Sequence, residues 1–383
     1  MGVLTVEETA YARRVRDLAM TELLPLVDKG VEGRVNRPLL VAMGGHGLLR
    51  DLFGGSPEEP PRDAAAMRLC LLRETIASVS TEAETALALQ GLGSYPILQS
   101  GRPGTVERWI PRVVRGTAVA AFALTEPEAG SDAAALALLA IPDGRGWRLH
   151  GEKIWISNAP EADVYTVFAR TTAGAGARGV TAFAVAGDAE GLSGEHLDLL
   201  SPHPIGRLRF DGVRVGAGDV LGEVDAGFKV AMRTLDLFRP SVGAFAAGMA
   251  QAAIDVTLDH VSTRQVHGAP LAAQQSVAHT LADLATRLQA ARLLVYAAAR
   301  TYDAGASRSA VTRSAAMAKL FATEAAQTIV DQCVQLHGAR ALERGHLLEH
   351  LYRDVRAPRI YEGASEVQRS IIARELFKER NAP

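Results

Sequence analysis

Several short stretches of the 383-residue sequence carry side chains whose types and spacing suit chemistry. Near the end, Ile360-Tyr361-Glu362-Gly363-Ala364-Ser365-Glu366-Val367-Gln368 sets a carboxylate beside a glycine, ahead of an apolar helical stripe of Val367, Ile371 and Ile372. Pro358 predicts a broken segment upstream, and Ser365 with Gln368 reads as a capping box. Glu362 then lies on a short loop at a helix N-terminus, next to a glycine that tolerates unusual backbone angles. As residues alone, it is an exposed loop glutamate, a second cap, or a carboxylate held against a ligand. Thr125-Glu126-Pro127-Glu128-Ala129-Gly130-Ser131-Asp132 is a turn of small residues whose exposed N–H groups suit phosphate oxygens, and equally a turn and nothing more. In Lys153-Ile154-Trp155-Ile156-Ser157-Asn158, period-two alternation puts Ile154 and Ile156 on one strand face and Trp155 and Ser157 on the other. An aromatic surface and a hydroxyl on one face can cover a flat cofactor, or the tryptophan can be core. Arg264, ahead of Gln265-Val266-His267-Gly268-Ala269-Pro270-Leu271, is a phosphate-gripping cation or a helix-end cation favoured by the dipole.

Two further motifs compete. His346-Leu347-Leu348-Glu349-His350 fits H-x-x-E-H, an inverted zinc-peptidase pattern in which His346 and His350 would share a metal. Gly174-Ala175-Gly176-Ala177-Arg178-Gly179 fits G-x-G-x-x-G, but that fingerprint needs a helix after it to hold a pyrophosphate. Val180–Val185 reads as a strand, so the glycines are assigned to a hairpin loop.

The elements that must position these residues change character twice. Residues 1–117 read as helices: apolar spacing runs from Val6 to Asp28, with Pro25 kinking or ending it, and again from Arg62 to Leu92. Gly54–Pro61 is a loop by composition. Residues 118–222 turn to short β-like runs (Ala118–Leu124, Trp147–His150, Ile154–Ser157, Val164–Ala169, Val180–Ala186 and Ile205–Phe210), which predicts a small sandwich or barrel. From 223 to 383 helices return over Phe228–Arg264, Leu271–Ala304 and Ala310–Gln335, making a four-helix bundle plausible. The small residues Gly243, Ala244, Ala246, Ala247 and Gly248 are read as a packing stripe. The expected class is multidomain α+β.

Composition excludes several function classes. With a net charge of -2, no basic excess points to nucleic acid or an acidic membrane surface. Cys70 and Cys333 stand far apart in no metal spacing, as in a reducing compartment. Glu7 and Glu8 interrupt any leader pattern, Val6 replaces the Ser or Thr of a myristoylation signal, and no uninterrupted apolar run approaches the ~18 residues of a membrane span. The expectation is a soluble, cytoplasmic protein.

Arg353-Asp354-Val355-Arg356, the Tyr361-Glu362-Gly363 element and Ile371-Ile372-Ala373-Arg374 together resemble the C-terminal signature of the acyl-CoA dehydrogenase family. Thr125–Asp132 resembles its central signature, Trp155-Ile156-Ser157-Asn158 its flavin-facing strand, and the all-α, β, all-α order its architecture over essentially the full chain. The resemblance implies FAD as cofactor and Glu362 as the base that takes the α-proton of an acyl thioester while flavin N5 accepts the β-hydride. It assigns Phe122, Leu124, Thr125, Gly130, Ser131, Trp155, Ile156 and Ser157 to the flavin, and Arg264 to the pyrophosphate of a neighbouring subunit's cofactor. It also assigns Gln275, Gln335, Gly338, Ala339, Ala364 and Glu366 to the cofactor, and Ser131, Asp236, Arg239 and Gly363 to the substrate. No metal is implied. Some members carry their base immediately before the arginine matching Arg239; here that residue is Phe238, which leaves Glu362 as the carboxylate at a base position.

The sequence departs from the family at His267 (usually phenylalanine), at Ala339 and Ala341 (glycines) and at Ala364 (threonine). If 339 and 341 need positive φ, alanine there carries strain or the loop differs. The implied partners are an acyl-CoA or acyl-carrier-protein thioester, an electron-transfer flavoprotein as acceptor, and further copies of the chain in a dimer of dimers. Alternatives within the fold are an oxidase and a non-catalytic flavin scaffold; outside it stands the zinc peptidase.

Overall fold

The computed structural model describes residues 4–54 and 64–380. The expected Gly54–Pro61 loop lies, from Gly55 onward, outside the described residues. In chain order the helices are α1 (Val6–Leu18), α2 (Leu24–Val27), α3 (Arg37–Gly45), α4 (Leu48–Asp51), α5 (Ala66–Ala77), α6 (Thr81–Ser100) and α7 (Pro103–Val114). After the strands come α8 (Gly227–Thr263), α9 (Gln275–Asp303), α10 (Arg308–His337), α11 (Leu347–Asp354) and α12 (Ser365–Arg380). Pro25 does not break a helix interior. A π-helical turn at Ala19–Leu23 ends the first run, and Pro25 occupies the first turn of α2, where its missing N–H costs nothing. Contacts divide the chain into two compact units, Thr21–Ala65 with Thr85–Leu235, and Met1–Met20 with Ala66–Glu84 and Asp236–Pro383.

The first unit is built on a sheet. Its strands are β1 (Ala120–Ala123), β2 (Leu139–Asp143), β3 (Gly146–Ser157), β4 (Val164–Arg170), β5 (Val180–Ala186), β6 (Leu192–His196), β7 (Ile205–Gly216) and β8 (Val220–Leu221). They form one mixed sheet in the order β6-β7-β3-β2-β4-β5-β8, with β1 parallel to β4. The runs Trp147–His150 and Ile154–Ser157 are one strand, β3, paired antiparallel with β7 from Gly146↔Gly216 to Ser157↔Ile205. β4 and β5, rich in Val, Phe, Thr and Ala, are buried along nearly their whole length, as central strands covered on both faces are. Val180 opens β5 directly after the glycine-rich stretch, so no helix follows the G-x-G-x-x-G pattern.

The second unit is helical. Its core joins Phe245, Met249 and Ile254 of α8 to Leu284 and Leu288 of α9, Ile329 and Val330 of α10, and Leu348 and Leu351 of α11. The stripe of small residues on α8 has a steric cause. A Cβ on Gly248 would stand 2.3 Å from the Glu74 carbonyl oxygen, and one on Gly243 would stand 2.8 Å from Val295 Cγ2. α8 is long and apolar enough to cross a membrane by length and composition, and 78% of its most apolar window is buried inside the chain, as in a core helix.

Candidate functional site

The loop bearing Glu362 belongs to the helical unit. Pro358 falls in a 3-10 turn, Ala357–Arg359, and α12 begins at Ser365. The expected capping box does not form. Ser365 Oγ donates to Glu324 Oε1 at 2.6 Å, and Gln368 turns its amide back to donate to the carbonyls of Gly363 (2.8 Å) and Glu362 (3.2 Å). Ser365 is already the first residue of α12, and the Gln368 N–H bonds the Ala364 carbonyl at 3.0 Å, so Ser365 does not stand at the capping position. Glu362 itself has φ +51° and Gly363 φ +95°. A Cβ on Gly363 would stand 2.5 Å from Gln368 Nε2 and push that amide off its carbonyls, but it is the positive φ that calls for glycine here.

Around that loop the helices converge polar groups. Arg239 of α8 donates Nε to the Glu362 carbonyl at 3.3 Å and Nη1 to Asp236 at 3.2 Å. Asp236, buried, also accepts from Thr312 at 2.9 Å, so it serves as the partner that orients Arg239. Lys319 of α10, fully buried, donates Nζ to the Gly363 carbonyl at 2.7 Å. Arg73 of α5 is buried and pairs with Glu84 and Ser241. Phe238 is packed in the interior. Glu362 Oε2 is out of solvent reach and has no hydrogen-bond partner among the described residues. Burial pushes the Glu362 carboxyl above its usual range, and the charges of Arg73, Lys319 and Arg239 partly offset that rise.

The β unit gathers the residues expected at a flavin. Trp155 is 52% exposed, and its φ of +59° sits where the β3–β7 register slips between Lys153 and Ile156. The bulge turns the indole outward, while Ile154 and Ile156 stay buried and Ser157 is half-buried. Ser157 Oγ lies 2.7 Å from His203 Nε2, a partner no sequence motif signalled. Strict alternation fails at Lys153, which is fully buried instead of sharing the outward face of Trp155. Its Nζ donates to Glu126 Oε1 (2.6 Å) and to the Leu124 carbonyl (2.9 Å). Glu126 in turn accepts from the N–H groups of Ala137 and Leu138 at 2.5 and 2.9 Å. Leu124 is buried, Phe122 packs on Phe168 with ring centroids 4.9 Å apart, Thr125 is half-buried, and Gly130 and Ser131 are exposed.

The remaining expected cofactor residues lie elsewhere on the helical unit. Arg264, Gln275, Gln335, Gly338, Ala339 and Glu366 are exposed, and Ala364 is half-buried. Within Gly338–Leu342, a 3-10 helix, only Gly338 has positive φ; Ala339 and Ala341 therefore carry no backbone strain. His267 has φ +52° in the turn between Gln265–Val266 and Ala269–Pro270. The H-x-x-E-H residues are spent on separate partners: His346 accepts from the Leu348 N–H, Glu349 binds Arg353, and His350 pairs with Asp354 at 3.0 Å. Among the described residues no group of three His, Cys, Asp or Glu is placed to hold a metal ion.

Three family models match the chain in order: the acyl-CoA dehydrogenase N-terminal domain over residues 5–117, the middle domain over 121–213 and the C-terminal domain over 225–377. A cyclohexane-1-carbonyl-CoA dehydrogenase of Geobacter metallireducens is 38% identical over 330 residues, covering 85% of this chain and 84% of that one. The chain belongs to the acyl-CoA dehydrogenase family. It is a flavoprotein oxidoreductase of that type, and its activity is the family's dehydrogenation of acyl-CoA substrates. A 3-(aryl)acrylate reductase of Clostridium sporogenes is 41% identical over 286 residues, 74% of this chain and 75% of that one. Among solved structures, butyryl-CoA dehydrogenase from Megasphaera elsdenii superposes with a TM-score of 0.91 at 31% identity, covering 98% of this chain and all of that one. A chain from work on the electron transferring flavoprotein of Acidaminococcus fermentans gives 0.91 at 29% identity, covering 99% and 100%. A glutaryl-CoA dehydrogenase of Mycobacterium smegmatis in complex with FADH2 gives 0.89 at 26%, covering 98% and 95%.

Proposed function

We propose that this acyl-CoA dehydrogenase family member uses FAD to introduce an α,β double bond into an acyl-CoA, with Glu362 as the base. The observation that carries this reading is Glu362 itself: a carboxylate with an unpartnered buried oxygen, held at a strained backbone angle by three donors to its own loop. The FAD of a related structure supports the cofactor, and the residues fit it: an outward-turned indole beside a hydroxyl, and a turn of small residues at Gly130–Ser131. Trp155 and Ser157 would line the isoalloxazine, Ser131 its phosphate or the pantetheine arm, and Arg264 with Gln335 and Gly338 the cofactor of a second subunit. Bound FAD would supply the acceptor for the β-hydride.

The α-proton of a thioester is weakly acidic, so the base must act while the developing negative charge is stabilised. Raising the Glu362 pKa brings the carboxylate closer to the basicity that task needs. Arg239, Lys319 and Gln368 hold the loop carbonyls, leaving the side chain as its reactive part. The reading extends to domains at 1–117, 118–222 and 223–383, a cytoplasmic homotetramer, and reoxidation by an electron-transfer flavoprotein. Relatives acting on cyclohexane-1-carbonyl-CoA and arylacrylate widen the acyl group to be tested beyond straight fatty chains. Glu362→Gln tests the base: the variant should retain flavin and lose its reduction by acyl-CoA. Reduction persisting at the wild-type rate would assign the base elsewhere.

A further inference from the structure

Lys319 is fully buried on α10, amid the alanines and leucine of Ala315-Ala316-Met317-Ala318-Lys319-Leu320. An ammonium is expensive to bury, and a methionine would fill similar space without that cost. Its hydrogen bond goes to the Gly363 carbonyl at 2.7 Å, one residue beyond Glu362. The same carbonyl accepts from Gln368, while the Glu362 carbonyl accepts from Gln368 and Arg239. Five residues along α10, Glu324 takes Ser365 Oγ at 2.6 Å and Arg359 Nη2 at 2.9 Å. One helix therefore holds the loop on both sides of the carboxylate.

We propose that Lys319 is a positioning residue for Glu362, fixing the loop through the Gly363 carbonyl and presenting a positive charge to the carboxylate. The proposal rests on the reading of Glu362 as the base. The charged groups acting on Glu362 are Arg73 on α5, Arg239 on α8 and Lys319 on α10, with the Tyr361 phenol on its own loop. Arg73 is engaged by Glu84 and Arg239 by Asp236, whereas Lys319 bonds a neutral carbonyl, with Glu324 and Glu366 as further acidic neighbours among the described residues. Burial lowers the Lys319 pKa to about 8, with Glu362 the largest opposing influence, so the ammonium and the carboxylate stabilise each other's charged forms.

Two variants separate the charge from the grip. Lys319→Met should keep the flavin content while slowing flavin reduction at saturating acyl-CoA by about 10- to 100-fold, as a misplaced reacting group does. It should also move the acid limb of the pH–rate profile upward by about one unit, the effect of removing an opposite charge. Lys319→Arg should restore the limb, and Gln368→Leu should slow reduction without moving it. Titration of the Glu362 carboxyl by carbon-13 NMR, assigned by difference against Glu362→Gln, should show the same upward shift without any substrate. If the methionine variant does not accumulate, Lys319→Gln removes the charge and keeps a donor. An unmoved carboxyl titration in the charge-lacking variant overturns the proposal. Should wild-type flavin resist every acyl-CoA, the reading of Glu362 as base fails, and the NMR titration still decides whether Lys319 acts on that carboxyl.

Discussion

Non-glycine residues at positive φ cost about 1–3 kcal/mol each and persist only where the surroundings over-determine them. Trp155, Glu362 and His267 are all such residues, and each lies in a different one of the motifs read from the sequence as chemical. Glu362 and Trp155 stood out in the sequence as candidates because their residue types are tied to short motifs. Their conformations were not, since the β3 bulge and the Glu362 loop depend on partners far away in the chain: Lys319, Arg239 and Gln368 for one, β7 for the other. The Glu362 pKa, raised from 4.5, has a kinetic consequence. Only the carboxylate can take a proton, so flavin reduction should fall as pH drops through a pKa above 4.5, read from a stopped-flow pH profile. The fold favours the protonated acid, so this group's contribution to stability is full below 4.5 and is lost as pH rises through the elevated folded value. An acid limb at or below 4.5 would show that burial does not govern this carboxyl.

At the scale of elements, α8, α9 and α10 were readable to within four residues at their ends because long apolar periodicity specifies them. β2, β6 and β8 were missed: β6 is exposed and polar, β8 has two residues, and β2 opens at the end of an Ala- and Leu-rich run, 133–141, whose residue types do not signal a strand. The buried link between β3 and the Thr125 turn was hidden for another reason. A lysine in a strand pattern reads as surface unless its acidic partner, here Glu126, is already known to lie against it. Lys153→Met should cost about 3–5 kcal/mol in denaturant unfolding, because it leaves Glu126 buried without its cation. The result should fall toward the lower figure, since Glu126 keeps two backbone donors. Close helix packing gives an independent test. Gly248→Ala places a methyl 2.3 Å from a carbonyl oxygen and should destabilise by about 1–3 kcal/mol. A neutral effect would mean that α5 and α8 give way without cost.

The whole molecule carries its family membership in the order of its parts, helices, sheet and helices, each matched by its own family model. That order was visible in the change of hydrophobic period near residues 118 and 223. Acyl specificity was not, because it depends on side chains brought together by folding, and the relatives themselves span cyclohexane-carbonyl and arylacrylate chemistry. Acyl specificity is accordingly read from the reaction itself. The most direct measurement is therefore anaerobic titration of the FAD-loaded protein with saturated acyl-CoAs, graded in chain length and including alicyclic and arylpropanoyl thioesters, while the flavin absorbance is followed. At least one should bleach the flavin and yield the matching 2-enoyl product. A stably bound flavin that none of them reduces would contradict the assignment of this chain as an acyl-CoA dehydrogenase.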